Sequence, residues 1–250
     1  MTLYNERPEA EVTLELMGKM INIRCPSKVQ LFGAMGHLGS ETNHLFMRNA
    51  DKYKLIDYVV DVGANIGATA LLFHRSWPSA RVLAIEPVSA NYDYLLHNIQ
   101  HFPQITPAKM AAYDKRERIR VSMPTLAQRS DLHASFGNSG LFSIYGEDID
   151  HSELVDADTL DNLVDGTVDF LKLDVEGAEL IVVAGAKRII AEDRPIIMME
   201  VRVANMEMAG TSLEDTSNWF KTIGYKLVGK YRGDIILCPK ELEPLVWEHP

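Results

Sequence analysis

Residues 56–67, IDYVVDVGANIG, are the strongest indication of the fold class in this sequence. Residues 56–62 form an almost continuous apolar run, which is typical of a strand buried on both faces of a parallel sheet. Apolar residues then recur every three or four positions from Ile66 to Trp77, which predicts a helix that Pro78 ends. A buried strand, a turn with two glycines and a helix are the first half of a βαβ unit.

The same alternation of strand and helix continues along the chain. Further strands are predicted at 81–85, 106–112, 168–173 and 196–201, and further helices at 88–99, 177–191 and 213–223. Such alternation implies right-handed βαβ units and a doubly wound, mostly parallel α/β sheet. Residues 225–230 and 234–238 flank an Arg232-Gly233 turn, which predicts an antiparallel C-terminal hairpin.

Two regions depart from this pattern. Residues 1–55 are predicted to form an N-terminal extension with two short strands and a helix over 41–53, ahead of a main domain at 56–250. Residues 124–153 show no clear period. They are either a long loop that folds over the functional site or a pair of short strands, and the sequence leaves both interpretations open.

Composition disfavours several classes of partner. The formal net charge of −10 repels the phosphate backbone of nucleic acids. The N-terminus lacks an apolar signal core and no apolar run approaches the ~18 residues that span a bilayer, so we expect a cytoplasmic protein without a membrane partner. Cys25 and Cys238 are far apart in sequence and predict neither a disulfide framework nor a zinc site.

Ligands of doubly wound sheets bind beyond the carboxyl ends of the strands, and acidic or glycine residues stand at four of these ends. In DVGANIG, Gly63 allows a sharp turn, Asn65 tolerates turn geometry and Gly67 opens the helix. Asp61 ends the strand before the first glycine, where a carboxylate would repel a pyrophosphate but suits a cationic amino-acid ligand. An ordinary strand-to-helix turn is the alternative.

An acid at the end of the next strand supports a nucleoside ligand. Glu86, in IEP at 85–87, follows Asp61 by 25 residues. An acid about 20 residues beyond a glycine loop can accept hydrogen bonds from the two hydroxyls of a ribose. Together the loop and the acid favour an adenosine-containing ligand over a solvent-facing carboxylate.

Three more carboxylates follow later strands. Asp174 and Glu176, in LKLDVEGAEL at 171–180, are two residues apart and share a face if the chain is extended. They could deprotonate a hydroxyl, hold a metal or cap a helix. Glu200 interrupts the apolar strand IIMMEV, so it lies either at the cleft or in an ion pair with Lys172 or Arg202.

In this order and at this spacing, DVGANIG, IEP, DFLKLDVEGAE and an apolar strand ending in glutamate resemble the FkbM-type methyltransferases over residues 56–202. The resemblance implies the class I, Rossmann-like methyltransferase fold with a seven-stranded sheet. It also implies S-adenosylmethionine as methyl donor, with S-adenosylhomocysteine as product, and a hydroxyl of a small natural product or sugar as acceptor.

The resemblance also implies residue roles. Asp61, Gly63, Asn65 and Gly67 would line the methionine end of the cofactor. Glu86 would bind the ribose with Pro87 and Val88 nearby, and Ala111 and Ala112, at the end of the third strand, would flank the adenine. Asp174 and Glu176 would face the transferred methyl group, with Asp174 also a cofactor contact, and the residues expected to carry catalysis are Asp174, Glu176 and Glu200.

The sequence does not decide which group removes the proton from the acceptor hydroxyl. Asp174 is the first candidate base, followed by Glu176 and Glu200, with the surface-type histidines His37 and His44 as further candidates. A divalent metal on the three carboxylates could replace the base, although nothing in the sequence requires one. If residues 124–153 cover the cleft, its aromatic walls would be Tyr113, Phe136, Phe142 and Tyr145.

Two other functions compete with methyl transfer. A nicotinamide-dependent oxidoreductase shares the strand, loop, helix and later acid, but it would need the third glycine of GxGxxG that this loop lacks. A non-catalytic S-adenosylmethionine-binding module is the second, which the complete set of cleft carboxylates disfavours. The oligomeric state stays open, and the N-terminal extension could pair across subunits.

Overall fold

The computed structural model of the protein describes residues 10–16, 18–26, 55–123, 143–145, 148–201, 206–207, 210–231 and 234–242. Twelve strands lie in these residues: β1 (Ala10–Leu16), β2 (Lys19–Cys25), β3 (Tyr58–Val62), β4 (Arg81–Ile85), β5 (Ile105–Ala108), β6 (Ala111–Tyr113), β7 (Glu117–Met123), β8 (Asp148–Thr159), β9 (Phe170–Leu173), β10 (Ile196–Glu200), β11 (Tyr225–Tyr231) and β12 (Asp234–Pro239). The α-helices of the described residues are α1 (Ala68–Ser76), α2 (Ser89–Ile99), α3 (Leu160–Leu163), α4 (Glu179–Ala184) and α5 (Leu213–Thr222).

The central sheet has seven strands in the order β11-β12-β10-β9-β3-β4-β5. The five strands from β10 to β5 are parallel, and β12 runs antiparallel to both β10 and β11. The predicted mostly parallel seven-stranded sheet and its antiparallel C-terminal hairpin are therefore confirmed.

Each face of the central sheet carries its own apolar core, as a doubly wound fold requires. One core joins the sheet to α1 and α2 through residues such as Leu71, Phe73 and Leu95. The other joins it to α4 and α5 through residues such as Val182 and Phe220. The strands β3, β9 and β10 are buried along their whole length, which explains why their sequences are nearly continuous apolar runs.

The predicted N-terminal strands are confirmed as the antiparallel hairpin β1–β2. Ile21 and Ile23 of this hairpin belong to the same core as α1 and α2. The side chain of Asn98 in α2 also accepts a hydrogen bond from the Arg24 amide and donates one to the Arg24 carbonyl. The helix predicted over 41–53 lies outside the described residues, and the domain division at residue 55 stays a prediction.

The strand predicted over 106–112 is wrong, because the structure has two strands there. β5 lies at the edge of the central sheet, where Pro107 lacks an amide hydrogen. After Ala108 the chain leaves that sheet, and β6 joins a small three-stranded sheet in the order β6-β8-β7. Residues 111–112 therefore pair with 157–158 of β8 and not with the central sheet.

The helix predicted over 177–191 is also shorter than expected. It is divided into α4 and a π-helical turn at Ile189–Asp193. Gly185, at the end of α4, lies so close to the backbone of Tyr113 that a Cβ atom there would come within 1.9 Å of the Tyr113 carbonyl oxygen. This approach fixes where the helix meets β6.

The structure describes part of the segment 124–153. β8 includes residues 148–153, and Ser143 forms an isolated antiparallel bridge with Ser122 of β7. Residues 148–153 are thus in a strand, while 124–142 and 146–147 lie outside the described residues, so the choice between a covering loop and a pair of short strands stays open. None of the helices in the described part of the chain is long and apolar enough to cross a membrane.

Candidate functional site

Successive strands of the chain are added on opposite sides of the boundary between β3 and β9 in the central sheet. From β3 the chain moves outward through β4 to β5, and from β9 it moves the opposite way to β10. Ligands of such sheets bind beyond the carboxyl ends of the strands at this point of reversal. Four predicted site residues, Asp61, Glu86, Asp174 and Glu200, stand at this edge on or directly after four adjacent strands.

The glycine loop, residues 61–67, has a backbone that few side chains would allow. Gly63, Asn65 and Gly67 have φ values of 78°, 52° and 87°. A Cβ atom at Gly63 would lie 1.8 Å from the carbonyl oxygen of Asp174. The glycine therefore lets the loop touch the end of β9 across the point of reversal, and its own amide donates a 3.0 Å hydrogen bond to the Ile85 carbonyl.

Glu86 lies buried behind the glycine loop and connects it to α2. Its Oε2 accepts a 2.9 Å hydrogen bond from the Asn65 amide, and its Oε1 accepts bonds from the Val88 amide at 3.0 Å and the Asn91 side chain at 3.3 Å. Burial raises the pKa of Glu86 to about 7, although the three donors oppose this shift. The protein itself thus occupies both oxygens, and the predicted contact of Glu86 and Pro87 with a ribose stays a prediction.

Asp61, Lys172 and Asp174 form a row of charges across the point of reversal. Lys172 stands opposite Asp61 in the β3–β9 register and lies two residues before Asp174. Its Nζ is 3.0 Å from Asp174 Oδ2 and 3.6 Å from Asp61 Oδ1. This contact supplies the partner that a lysine in an apolar strand needs.

The surroundings of Asp61 and Lys172, the two buried residues of this row, change their pKa values for different reasons. Burial raises the pKa of Asp61 to about 6, with the ammonium of Lys172 acting in the opposite direction. Burial alone would lower the pKa of Lys172, but the carboxylates of Asp174 and Asp61 outweigh it and raise the pKa. Lys172 therefore keeps its proton at neutral pH.

Three oxygen atoms of the glycine loop are buried without a hydrogen bond. They are Oδ1 of Asn65 and both carboxylate oxygens of Asp61, of which Oδ1 has only the Lys172 ammonium nearby, at 3.6 Å, among the residues that the structure describes. Buried acceptors are rarely left in this state, because each loses its hydrogen bonds to water. The loop is thus suited to a ligand that brings hydrogen-bond donors.

Asp174, Glu176 and Glu200 meet beside this loop. Each of the three offers an oxygen atom that lies within 4.8 Å of those of the other two. The structure thus brings the three predicted catalytic carboxylates together, and Asp174 keeps 35% of its side chain exposed. Oxygen atoms in this arrangement could accept a proton from a hydroxyl or ligate a hard divalent cation.

Three residues near the site were not singled out from the sequence, and two of them support the carboxylate cluster, while the third holds the start of α2. Glu179 Oε1 accepts hydrogen bonds from the amides of Val175 and Gly177, and the Ser143 hydroxyl donates a 2.7 Å bond to the Glu176 carbonyl. Glu153 accepts hydrogen bonds from the amide and hydroxyl of Ser89, at the start of α2. An acid in the first turn of a helix is a signal for Glu179, whereas Ser143 and Glu153 act over long sequence separations that leave no local signal.

Other predicted site residues are placed differently or lie outside the described residues. Ala111 and Ala112 are buried in β6 and do not end the third strand of the central sheet, which stops at Ala108. Their contact with an adenine stays a prediction. The predictions that fall outside the described residues concern His37, His44, Phe136, Phe142 and Arg202.

Comparison with known families gives one match that covers most of this chain. A family described as the methyltransferase FkbM domain matches residues 61–227. The match begins at the first residue of the glycine loop and includes Glu86, Asp174, Glu176 and Glu200.

Individual known proteins match this chain either over a short stretch or at low sequence identity. Methyltransferase sdnD of Sordaria araneosa is 45% identical over 42 residues, which are 17% of this chain and 16% of that protein. Methyltransferase FkbM from Methylobacillus flagellatus KT aligns with a TM-score of 0.49 and 22% identity over 73% of this chain and 43% of its own. The chain thus spans less than half the length of either protein. TYW2 of M. jannaschii, solved in complex with AdoMet, aligns with a TM-score of 0.42 and 16% identity over 92% of this chain and 84% of its own.

Proposed function

Because the chain belongs to the family of FkbM methyltransferases, we propose that it transfers a methyl group from S-adenosylmethionine to a hydroxyl group of a small natural product or sugar. The observation that carries this proposal is the set of three buried, unsatisfied acceptor atoms on Asp61 and Asn65, beside three clustered carboxylates.

The residues of the glycine loop fit the cofactor by the chemistry of their atoms. S-adenosylmethionine carries an α-ammonium group, two ribose hydroxyls and an adenine amino group as donors, and the loop offers acceptors that lack donors. Asp61, Gly63, Asn65 and Gly67 would hold the methionine end, and Glu86 with Pro87 would lie by the ribose. When bound, the cofactor supplies an electrophilic methyl group on a cationic sulfur.

The carboxylate cluster would act on the acceptor. An acceptor hydroxyl must lose its proton to become a good nucleophile, and a positioned carboxylate can take that proton. Asp174 is our first candidate because its side chain is partly exposed and the ammonium of Lys172 holds it at 3.0 Å. Glu176 and Glu200 would orient the acceptor or take over as base, and much of the acceleration would come from positioning the reactants.

Thermal unfolding with separate ligands tests the cofactor. A ligand at about 100 times its dissociation constant stabilises a protein by ~2.7 kcal/mol, which raises the midpoint by about 5–10 °C for a chain of this size. We expect this shift with S-adenosylmethionine and S-adenosylhomocysteine and none with NAD. Asp61→Asn, which keeps the size of the side chain, should reduce the shift strongly, while the exposed Glu192→Asn should leave it unchanged.

Transfer of a labelled methyl group to a panel of sugars, phenols and polyhydroxylated natural products then tests the reaction. Turnover that survives a chelator would establish that Asp174, Glu176 and Glu200 need no metal. Cofactor binding without turnover on any acceptor would instead indicate a non-catalytic binding module. A thermal shift with NAD alone would overturn the proposal in favour of a nicotinamide-dependent oxidoreductase.

A further inference from the structure

We propose that Ser143 is a positioning residue for methyl transfer, because its hydroxyl holds the backbone of Glu176 in the conformation that places the Glu176 carboxylate beside Asp174 and Glu200. The inference rests on the proposed function and adds to it a residue from outside the central sheet. Ser143 belongs to the chain between β7 and β8, more than thirty residues before the carboxylates that it would position.

Glu176 has a backbone conformation that glutamate rarely adopts. Its φ is 52°, in the left-handed region, and the φ of the following Gly177 is 104°. A side chain with a Cβ atom is unfavourable in this region, so such a residue persists only where its surroundings hold it. At a functional site, a strained backbone of this kind commonly serves to aim a side chain.

The contacts that hold Glu176 come from two sides. Glu179 Oε1 accepts hydrogen bonds from the amides on either side, Val175 at 3.0 Å and Gly177 at 3.2 Å. The Ser143 hydroxyl donates a 2.7 Å hydrogen bond to the carbonyl of Glu176 itself. Three successive residues are thus each fixed by a bond from their backbone to a side chain.

Ser143 is itself well fixed, so its hydrogen bond has a defined direction. The residue is 5% exposed, and its backbone amide and carbonyl pair with those of Ser122 at 3.0 and 2.9 Å. Its Oγ also accepts a 3.2 Å bond from the Tyr145 amide, so its hydrogen is available for the Glu176 carbonyl. The Ser143 hydroxyl therefore links the three-stranded sheet to the backbone of Glu176.

The expected consequence concerns the rate of transfer and not cofactor binding. The Glu176 carbonyl and carboxylate belong to one residue, so a peptide that turns also displaces the carboxylate. A displacement of about 1 Å in a catalytic group can lower the rate by about 10²-fold. The contacts of the glycine loop do not include Ser143, so cofactor affinity should be retained.

The test compares Ser143→Ala with Ser122→Ala, using the acceptor found in the methyl-transfer panel. Ser122 is the matched control, because it is equally buried and shares the bridge, but its hydroxyl is not a donor to Glu176 in the described structure. We expect kcat to fall about tenfold in Ser143→Ala, with the KM for S-adenosylmethionine and the thermal shift by S-adenosylhomocysteine unchanged. Ser122→Ala should stay within about twofold of wild type.

A double-mutant cycle separates positioning from a general structural effect. If Ser143 acts through the Glu176 carboxylate, Ser143→Ala should have little further effect in a Glu176→Gln background, and the two losses should not add. Amide hydrogen exchange at 175–177 should also be faster in Ser143→Ala than in Ser122→Ala.

The outcomes distinguish the two proposals. Additive losses, or equal activity of the two serine variants, would overturn the role of Ser143 while leaving methyl transfer established. A wild-type chain that transfers no methyl group to any acceptor of the panel would overturn both.

Discussion

The glycine loop and the carboxylate cluster lie on the same edge of the sheet but are held in opposite ways. The loop is fixed mainly by close packing of its main chain, since Gly63 touches the Asp174 carbonyl and Gly67 packs against Leu95 of α2, with one added hydrogen bond from the Asn65 amide to Glu86. The cluster is fixed by polar side chains, namely Lys172, Glu179 and Ser143. The loop therefore tolerates almost no change in side-chain volume, whereas contacts around the cluster can be changed while the fold persists.

This contrast fits the division of labour that we propose for the two regions. The cofactor that we propose would need a cradle of fixed shape, and backbone packing provides it. The acceptor that we propose would need a surface whose contacts can be changed without loss of the fold, and side-chain contacts provide that. Substitutions in the two regions should therefore differ in their effects on folding and on methyl transfer.

Gly63→Ala should have the largest effect. Its Cβ atom would lie 1.8 Å from a backbone oxygen in a left-handed conformation, so we expect a loss of more than about 4 kcal/mol in the free energy of unfolding, and loss of S-adenosylhomocysteine binding. Gly18→Ala is the control, because its φ is 73° but nothing lies within 4 Å of the added Cβ. That variant should lose only ~1 kcal/mol. Equal losses in urea denaturation would show that close packing is not what fixes the loop.

Lys172→Met should lose about 3–4 kcal/mol, because it leaves the Asp61 carboxylate buried without its cation. The loss should be smaller at pH 5 than at pH 7.5, since Asp61 is largely protonated at the lower pH. Lys221→Met, on the exposed surface of α5, should change stability by less than ~0.5 kcal/mol. A loss at pH 5 as large as that at pH 7.5 would contradict the role assigned to the Asp61 charge.

The pH dependence of stability should reveal the buried carboxylate of Asp61. Burial raises its pKa from 3.8 to about 6, so its protonated form favours the folded state, and this contribution is lost as the pH rises through 6. Asp61→Asn removes the titration, so its stability relative to wild type should rise by ~2–3 kcal/mol from pH 4 to pH 7. Denaturation at several pH values measures this difference. If the stability difference between Asp61→Asn and wild type does not change with pH, the Asp61 carboxylate is exposed to water and its pKa is not raised.

Glu176→Asn should have the smallest effect on folding and should stabilise the chain. Asparagine adopts the left-handed region more readily than glutamate, so we expect a gain of about 0.5 kcal/mol at φ 52°. Methyl transfer should nevertheless fall, because the carboxylate beside Asp174 and Glu200 is lost. A destabilised variant in thermal unfolding would mean that the glutamate side chain itself supports the loop.

Local patterns were sufficient for most of the central sheet. β4 agrees with its prediction at both ends, and β3, β9 and β10 agree within two residues, because strands buried on both faces must be apolar throughout. The predictions that were wrong concern elements whose bounds depend on packing between segments distant in sequence. Gly185 ends α4 against Tyr113, and residues 111–113 leave the central sheet to pair with β8.

The candidate site divides in the same way. Asp61, Gly63, Glu86, Asp174, Glu176 and Glu200 could be named from sequence, because an acid or a glycine at the end of a buried strand stands out against its apolar neighbours. What each side chain contacts could not be predicted. The Glu86 carboxylate, for example, accepts hydrogen bonds from the amides of Asn65 and Val88, which no local pattern indicates, while its predicted contact with a ribose stays a prediction.

Residues close together in the chain were enough to predict most strands and helices of the central sheet, the family resemblance, and the strand ends at which the candidate site residues stand. Folding in three dimensions was needed to place Lys172 between Asp61 and Asp174, to bring Ser143 into contact with Glu176, and to bury Oδ1 of Asn65 without a hydrogen-bond donor among the described residues. These contacts depend on the register of neighbouring strands and on the path of a distant segment, neither of which leaves a local pattern in the sequence. Hydrogen bonds and burial depend on which residues are close in three dimensions, whereas hydrophobic periodicity depends only on neighbours along the chain.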